Sequence, residues 1–188
     1  GGGMEHQTIT SMGGHSQWLI AHELGHQWWG DLITCSSFHH IWLNEGFARF
    51  SEALWDEAYL GNEAYKEYWQ NHAYYGPGTI YVENPETAGQ IFNGNLTYNK
   101  AGWTVHMLRG VMGDSLFFAT LQSYANNDSL AYASATTEDF QSVCEDISNL
   151  ALNDFFQQWI YGEYYPKYSL SWQLNDLDEL IIIIQQNQ

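Results

Sequence analysis

The chain has 188 residues, enough for one ordinary domain or for one domain and part of another. Apolar residues make up 45% of it and aromatics 16%, ample for a core, so the composition excludes disorder. A formal charge of −17, from 22 acidic against 5 basic side chains, opposes nucleic acid and anionic membrane surfaces alike.

The same acidity would steer basic or amine-bearing ligands, or simply keep the protein soluble. Two cysteines, Cys35 and Cys144, are too few for a disulfide framework and read as unpaired thiols. No apolar run reaches the length of about eighteen residues that a membrane span requires. Nor does a basic segment followed by an apolar one stand near the start.

In chain order, residues 2 to 10 lack a helical period, and their glycines suit a strand or a close approach of backbone to ligand. Ser16 can cap a helix reading QWLIAHELGHQWWG, which Gly30 would close and whose mixed three- and four-residue apolar steps predict a buried element. A loop over 34–38 leads to a second helix from Trp42 to Tyr59, stopped by Gly61. Asn62 would cap a third helix ending near Gly76. Residues 76–94, with Pro77 and Pro85, read as a long irregular connection. Helices follow at 98–112, 114–126, 137–149 and 153–161, capped by Asp114, Thr137 and Asn153. After Pro166 the pattern changes to period two over 168–174, then a turn, then the β-branched run 180–184. A two-stranded hairpin is marginal alone, so these residues are expected to begin a further β domain, and the chain to be part of a longer one.

The chemistry concentrates at His22-Glu23-Leu24-Gly25-His26. Two imidazoles four residues apart lie one helical turn apart and can reach one metal from the same face. Glu23, one step round the helix, can contact a water at that metal without displacing it. Zinc lowers the pKa of such a water to about 7, and a carboxylate can then take its proton. Alone, this string has a structural alternative, two satisfied histidines on a buried helix. Glu45, eighteen residues beyond His26, completes a His2Glu set with a position left for water, the pattern of catalytic zinc. Glu52, two turns further on the same face, could orient a ligand histidine or be a surface carboxylate. His39 and His40 point apart as sequence neighbours and read as loop residues.

With these residues the chain resembles the gluzincin aminopeptidases of the aminopeptidase N type. Four segments match in order: Gly2-Gly3-Met4-Glu5-His6, HExxH with its distant Glu in Asn44-Glu-Gly-Phe-Ala48, Tyr98-Asn99-Lys100, and Val105-His-Met-Leu-Arg109. The resemblance implies a mainly α (α+β) fold, the helical part of a thermolysin-like zinc peptidase domain with an N-terminal strand, over 1–166. Residues 167–188 would start the following β domain. It implies one Zn2+ held by His22, His26 and Glu45, with Glu23 as general base and Tyr98 as hydrogen-bond donor to the oxyanion. Glu5 would bind the free α-amino group of a peptide, with the backbone of Gly2 and Gly3 alongside the substrate. Members of the family also carry an N-terminal domain that adds a second carboxylate to the amine site, and a C-terminal helical domain that closes the cleft. Neither is recognisable here.

Two positions depart from the family pattern, His6 where Asn is usual and Ala101 where Gly is usual. Imidazole can also donate a hydrogen bond, so the first change alters substrate anchoring rather than abolishing it. The resulting expectation is a zinc aminopeptidase. An epoxide hydrolase of the leukotriene-A type shares the motif set, and a non-catalytic zinc-stabilised module is the alternative outside hydrolases. Neither nucleic acid nor a membrane span is expected. The resemblance and the scarcity of cysteine fit a secreted or periplasmic enzyme, with a cytoplasmic one also open.

Overall fold

The structure, a computed structural model, describes residues 2–187, so Gly1 and Gln188, the outermost residues of the two expected segments, lie outside it. Its elements are β1 (Gly3–Met4), β2 (Ser11–Met12), α1 (Gln17–Gly25), β3 (Ile33–Cys35), α2 (Trp42–Leu60) and α3 (Asn62–His72). The short helix α4 (Ala88–Ile91) and a π-helical segment over Gly94–Lys100 precede α5 (Ala101–Met112) and α6 (Asp114–Ala125). Then come β4 (Ala133–Ala135), α7 (Thr137–Ser148), α8 (Asn153–Trp159) and the hairpin β5 (Lys167–Leu174) and β6 (Leu180–Asn187). The expected mainly helical fold, with short strands at the start and a hairpin at the end, is what is observed.

Helix α2 is the hub, packing against α1, α3 and α5. Its first turns, Trp42 to Ala48, are buried on every side, as a helix in the middle of a core must be. Around it the large side chains Trp69, Phe117, Phe140 and Phe156 are almost fully buried and form much of the core. Helices α2 and α5 approach closely at Gly46, where a Cβ would lie 2.8 Å from the Ala101 methyl and 3.2 Å from the Ala101 carbonyl carbon. The alanine that departs from the family pattern therefore sits in this crossing.

Several boundaries differ from those expected. Helix α1 ends at Gly25 rather than Gly30, and one side of it is open: Ile20 and Leu24 are 51% and 57% exposed, whereas the indole of Trp18 donates to the Asp56 carboxylate of α2 at 3.0 Å. The face with Trp18, Ala21, His22 and Gly25 meets α2, so the apolar steps of α1 do not mark an all-round buried helix. Helix α3 stops at His72, and α7 is capped by Thr136, not Thr137, through a reciprocal capping box with Asp139. Thr137 instead turns inward, where its hydroxyl accepts from Trp42 Nε1 and lies 2.9 Å from His40 Nδ1. The region read as a loop begins inside β3, which pairs in parallel with β4. Three residues are too few to display a period of two.

The hairpin follows expectation, with β5 and β6 in antiparallel register from Lys167↔Asn187 to Leu174↔Leu180. Both faces are exposed along its whole length.

The α2–α5 crossing has a direct consequence. Gly46→Ala should lower stability by about 1–2 kcal/mol despite alanine's better helix propensity, because the added methyl has no free space against α5. Urea denaturation of the two proteins measures it.

Candidate metal centre and catalytic site

Helices α1 and α2 meet so that three side-chain atoms converge. His22 Nε2 and His26 Nε2 lie 3.2 Å apart, and each is 3.3 Å from Glu45 Oε2. His26 follows the last residue of α1 but keeps helical geometry (φ −61, ψ −20), so the one-turn spacing survives the helix end. All three residues are buried.

The far sides of both rings are tied to groups that can only accept. His22 Nδ1 donates to Glu52 Oε1 at 2.8 Å, and His26 Nδ1 donates to the Trp29 carbonyl at 2.9 Å. A neutral imidazole protonated at Nδ1 presents a lone pair at Nε2. Two lone pairs and a carboxylate oxygen thus face one another with no donor among them, which is costly unless a cation enters. A tetrahedral zinc with bonds of about 2.0–2.1 Å spaces its ligands about 3.3–3.4 Å apart. The observed spacings match that figure, so these residues fit the metal.

The electrostatics of the metal-free chain say the same. Burial pushes the His22 pKa down, but Glu45 and Glu52 outweigh it and raise it to about 9. Burial likewise pushes Glu45 up, but His22 and His26 overcome it and hold it at about 2. Without a metal, protons supply the missing positive charge.

Glu23 also faces this centre. It is 4% exposed, and its Oε2 is buried with no hydrogen-bond partner. Burial raises its pKa against the opposing pull of His22 and His26, as suits a base that must accept a proton. Oxygens of Glu5 and Glu23 and a ring nitrogen of His26 lie within 4.8 Å of one another. A Cβ on Gly3 would lie 2.3 Å from Glu23 Oε1, so the missing side chain at position 3 makes room for the Glu23 carboxylate. Gly2 meets nothing within 4 Å.

Tyr98 stands on the π-helical segment with its ring stacked on His22, centroids 6.0 Å apart. Burial and then the neighbouring Glu45 raise its pKa, so the hydroxyl stays protonated and able to donate. Gly2, Gly3, Glu5, Glu23, Tyr98 and the three convergent residues all line one cleft of about 1020 Å³. Every residue singled out from the sequence as a site residue is therefore brought together.

His6 is exposed and does not line the cleft. His39 and His40 are used elsewhere, against the Val82 carbonyl and the Thr137 hydroxyl. Glu52 orients His22, which settles the choice left open at that position. Sequence reasoning missed Trp29, whose contribution is a backbone oxygen and leaves no side-chain signal. It also missed Arg49 and Asn99, which share a hydrogen bond of 2.9 Å at the cleft wall.

The chain belongs to peptidase family M1: the profile of the "Peptidase family M1 domain" matches residues 5–159. Among curated relatives, Aminopeptidase M1-C of Oryza sativa subsp. japonica is 29% identical over 170 residues, covering 85% of this chain and 19% of the relative. Aminopeptidase N of Lactococcus lactis subsp. lactis is 26% identical over 180 residues, covering 89% and 20%. Among solved structures, an M1 zinc metallopeptidase from Deinococcus radiodurans superposes with a TM-score of 0.75 at 25% identity, covering 88% of this chain and 38% of that one. The chain spans about a fifth of the length of the curated relatives it matches.

A cation entering between His22, His26 and Glu45 must displace the proton whose affinity at His22 the two neighbouring glutamates raise to a pKa of about 9. Zinc affinity should therefore rise about tenfold per pH unit for each proton released between pH 6 and 8, and fall on acidification. Competition with a chromophoric chelator at several pH values measures the slope.

Proposed function

We propose that this M1-family chain carries the catalytic site of a zinc aminopeptidase, which removes the N-terminal residue of peptides. The observation that carries the reading is the juxtaposition of the convergent His22, His26 and Glu45 set with the unpartnered Glu23 oxygen and the Glu5 carboxylate in one cleft. The His2Glu set alone would serve any zinc hydrolase. Glu5 narrows it, because a second carboxylate within 4.8 Å of Glu23 invites a cation, and a peptide's α-ammonium supplies one.

Zinc, when bound, acidifies a water and polarises the scissile carbonyl. His22, His26 and Glu45 would hold it, with Glu52 and the Trp29 carbonyl fixing the ring orientations. A single ion is the economical count, since a second one at Glu5 and Glu23 would compete for the one ring nitrogen of His26 not already bonded to Trp29.

Glu23 takes the proton of the attacking water and returns it to the leaving amine. Tyr98 donates its phenolic proton in a hydrogen bond to the oxyanion of the tetrahedral intermediate. Glu5 receives the substrate's α-ammonium and so sets the cut after one residue. Beside Glu5, Gly2 and Gly3 leave the backbone free for an extended peptide. We further propose that residues 167–187 open a further β-sheet layer, because both faces of the hairpin are exposed and apolar side chains such as Trp172 and Ile182 lie on them.

Two substitutions test the catalytic reading, in this chain and in any longer protein that carries it. Glu23→Gln should retain zinc but lower aminoacyl-anilide hydrolysis by about 10²–10⁴, the usual worth of a general base. Tyr98→Phe should cost about 10²–10³ in kcat at similar zinc content. Peptidase activity that survived Glu23→Gln with zinc bound would sink the mechanism, and turnover of epoxides without anilides would point to the other chemistry.

A further inference from the structure

Among the described residues Arg49 is the one lysine or arginine on the wall of the cleft, and its guanidinium donates to two different partners. Nη1 donates to both carboxylate oxygens of Glu52, at 3.1 and 3.0 Å, and Nη2 donates to Asn99 Oδ1 at 2.9 Å. Glu52 is 4% exposed and also accepts from His22 Nδ1 and the Tyr68 hydroxyl, each at 2.8 Å. Asn99 belongs to the π-helical segment and directly follows Tyr98. A continuous chain of hydrogen bonds thus runs from His22 through Glu52 and Arg49 to the residue next to Tyr98.

The surroundings are shaped for this arginine. Its stem lies on α5 at Gly102, where a Cβ would come within 2.9 Å of Arg49 Cγ, and its guanidinium carbon sits 5.7 Å from the centre of the Tyr68 ring. A planar fork can satisfy a carboxylate on one side and an amide oxygen on the other, whereas an ammonium is a compact point charge. Arg49 comes from α2, the helix that also supplies Glu45 and Glu52. The π-helical segment is separate in sequence and packs against α2 and α5.

We propose that Arg49 is a positioning residue that ties the placement of Tyr98 to the orientation of the metal ligand His22. The proposal rests on the assignment of His22 to the metal and Tyr98 to the oxyanion given above. On one side Arg49 keeps the buried Glu52 carboxylate charge-balanced and aimed at His22. On the other it pins Asn99, and with it the turn that carries the Tyr98 phenol. In this role Arg49 acts through these two neighbours, Glu52 and Asn99.

Two measurements on the chain test it: zinc affinity by chelator competition, and amide hydrogen exchange over residues 94–100 without metal. Arg49→Met should weaken zinc about 10–100-fold, the usual cost of losing support behind a ligand, and speed exchange in 94–100. Asn99→Ala should speed that exchange while leaving zinc affinity within about threefold. Arg49→Lys keeps a charge beside Glu52 but not the fork, so it should recover most of the zinc affinity and little of the protection. The proposal falls if Arg49→Met leaves either quantity at the parent's value, or if Asn99→Ala weakens zinc as much as Arg49→Met does. Should Arg49→Met fail to fold by circular dichroism, parent-like exchange in Arg49→Lys or in Asn99→Ala overturns it just as well. A parent chain that binds no zinc would sink the metal assignment itself, while unchanged variants of a zinc-binding parent would sink only the role of Arg49.

Discussion

Two imidazole lone pairs and a carboxylate oxygen brought within 3.3 Å of one another inside a protein repel unless positive charge sits among them. Whichever cation supplies that charge, proton or metal, the three groups must stay converged, and the packing of α1 against α2 is what holds them. Helix α2 is buried on all sides over its first turns, so Glu45 cannot swing away to solvent. Glu52 and the Trp29 carbonyl occupy the outer nitrogens of the rings and prevent either imidazole from turning its lone pair outward. The aromatic core supplies the rigidity, and the centre uses it to stay ready for a cation.

The same reasoning extends outward along the cleft. Glu5 and Glu23 crowd together near His26, and one Glu23 oxygen is buried without a partner. In a chain with a formal charge of −17 such carboxylates sit in a negative field that favours the approach of cationic groups over anionic ones. A metal ion and an organic ammonium are both cations, so one charge excess would draw in either. What separates their places is local: lone pairs converge at the first, whereas bare carboxylates and a side-chain-free backbone meet at the second.

The parts of this site that could be read from the sequence are those built from side chains at fixed helical spacing. His22, Glu23 and His26 declare themselves by period, and Glu45 by its distance and its apolar neighbours. Glu52 was half visible, since its position on the face of α2 was clear but its partner was not. Three features were hidden for three different reasons. The Trp29 carbonyl is backbone and carries no residue-type signal. Gly3 reads as a site for close approach, but not that the group approaching it is Glu23. Arg49 and Asn99 are fifty positions apart, and only the crossing of α2 with the π-helical segment joins them. Short elements were lost similarly: β3 and β4 pair across the molecule with three residues each, too few for a pattern.

These differences sort the site into two mechanical classes. His22, His26 and Glu45 stand on or beside helices fixed by the core, whereas Glu5 and Tyr98 ride on lighter elements. Glu5 follows a two-residue strand, secured at its backbone by Gln27, and Tyr98 sits on a single π-helical segment. That segment has its own anchor besides Arg49: the buried Lys100, whose ammonium donates to the carbonyls of Gly78 and Gly162 at 2.9 and 3.0 Å. Burial lowers the Lys100 pKa, which marks the cost of keeping a charge there. A buried ammonium spent on two loop carbonyls makes sense where a short element must hold a fixed position without a core of its own. In the proposed reading, holding a metal and turning over a substrate would therefore be separable, the first resting on two packed helices and the second on how firmly the lighter elements are tied to them.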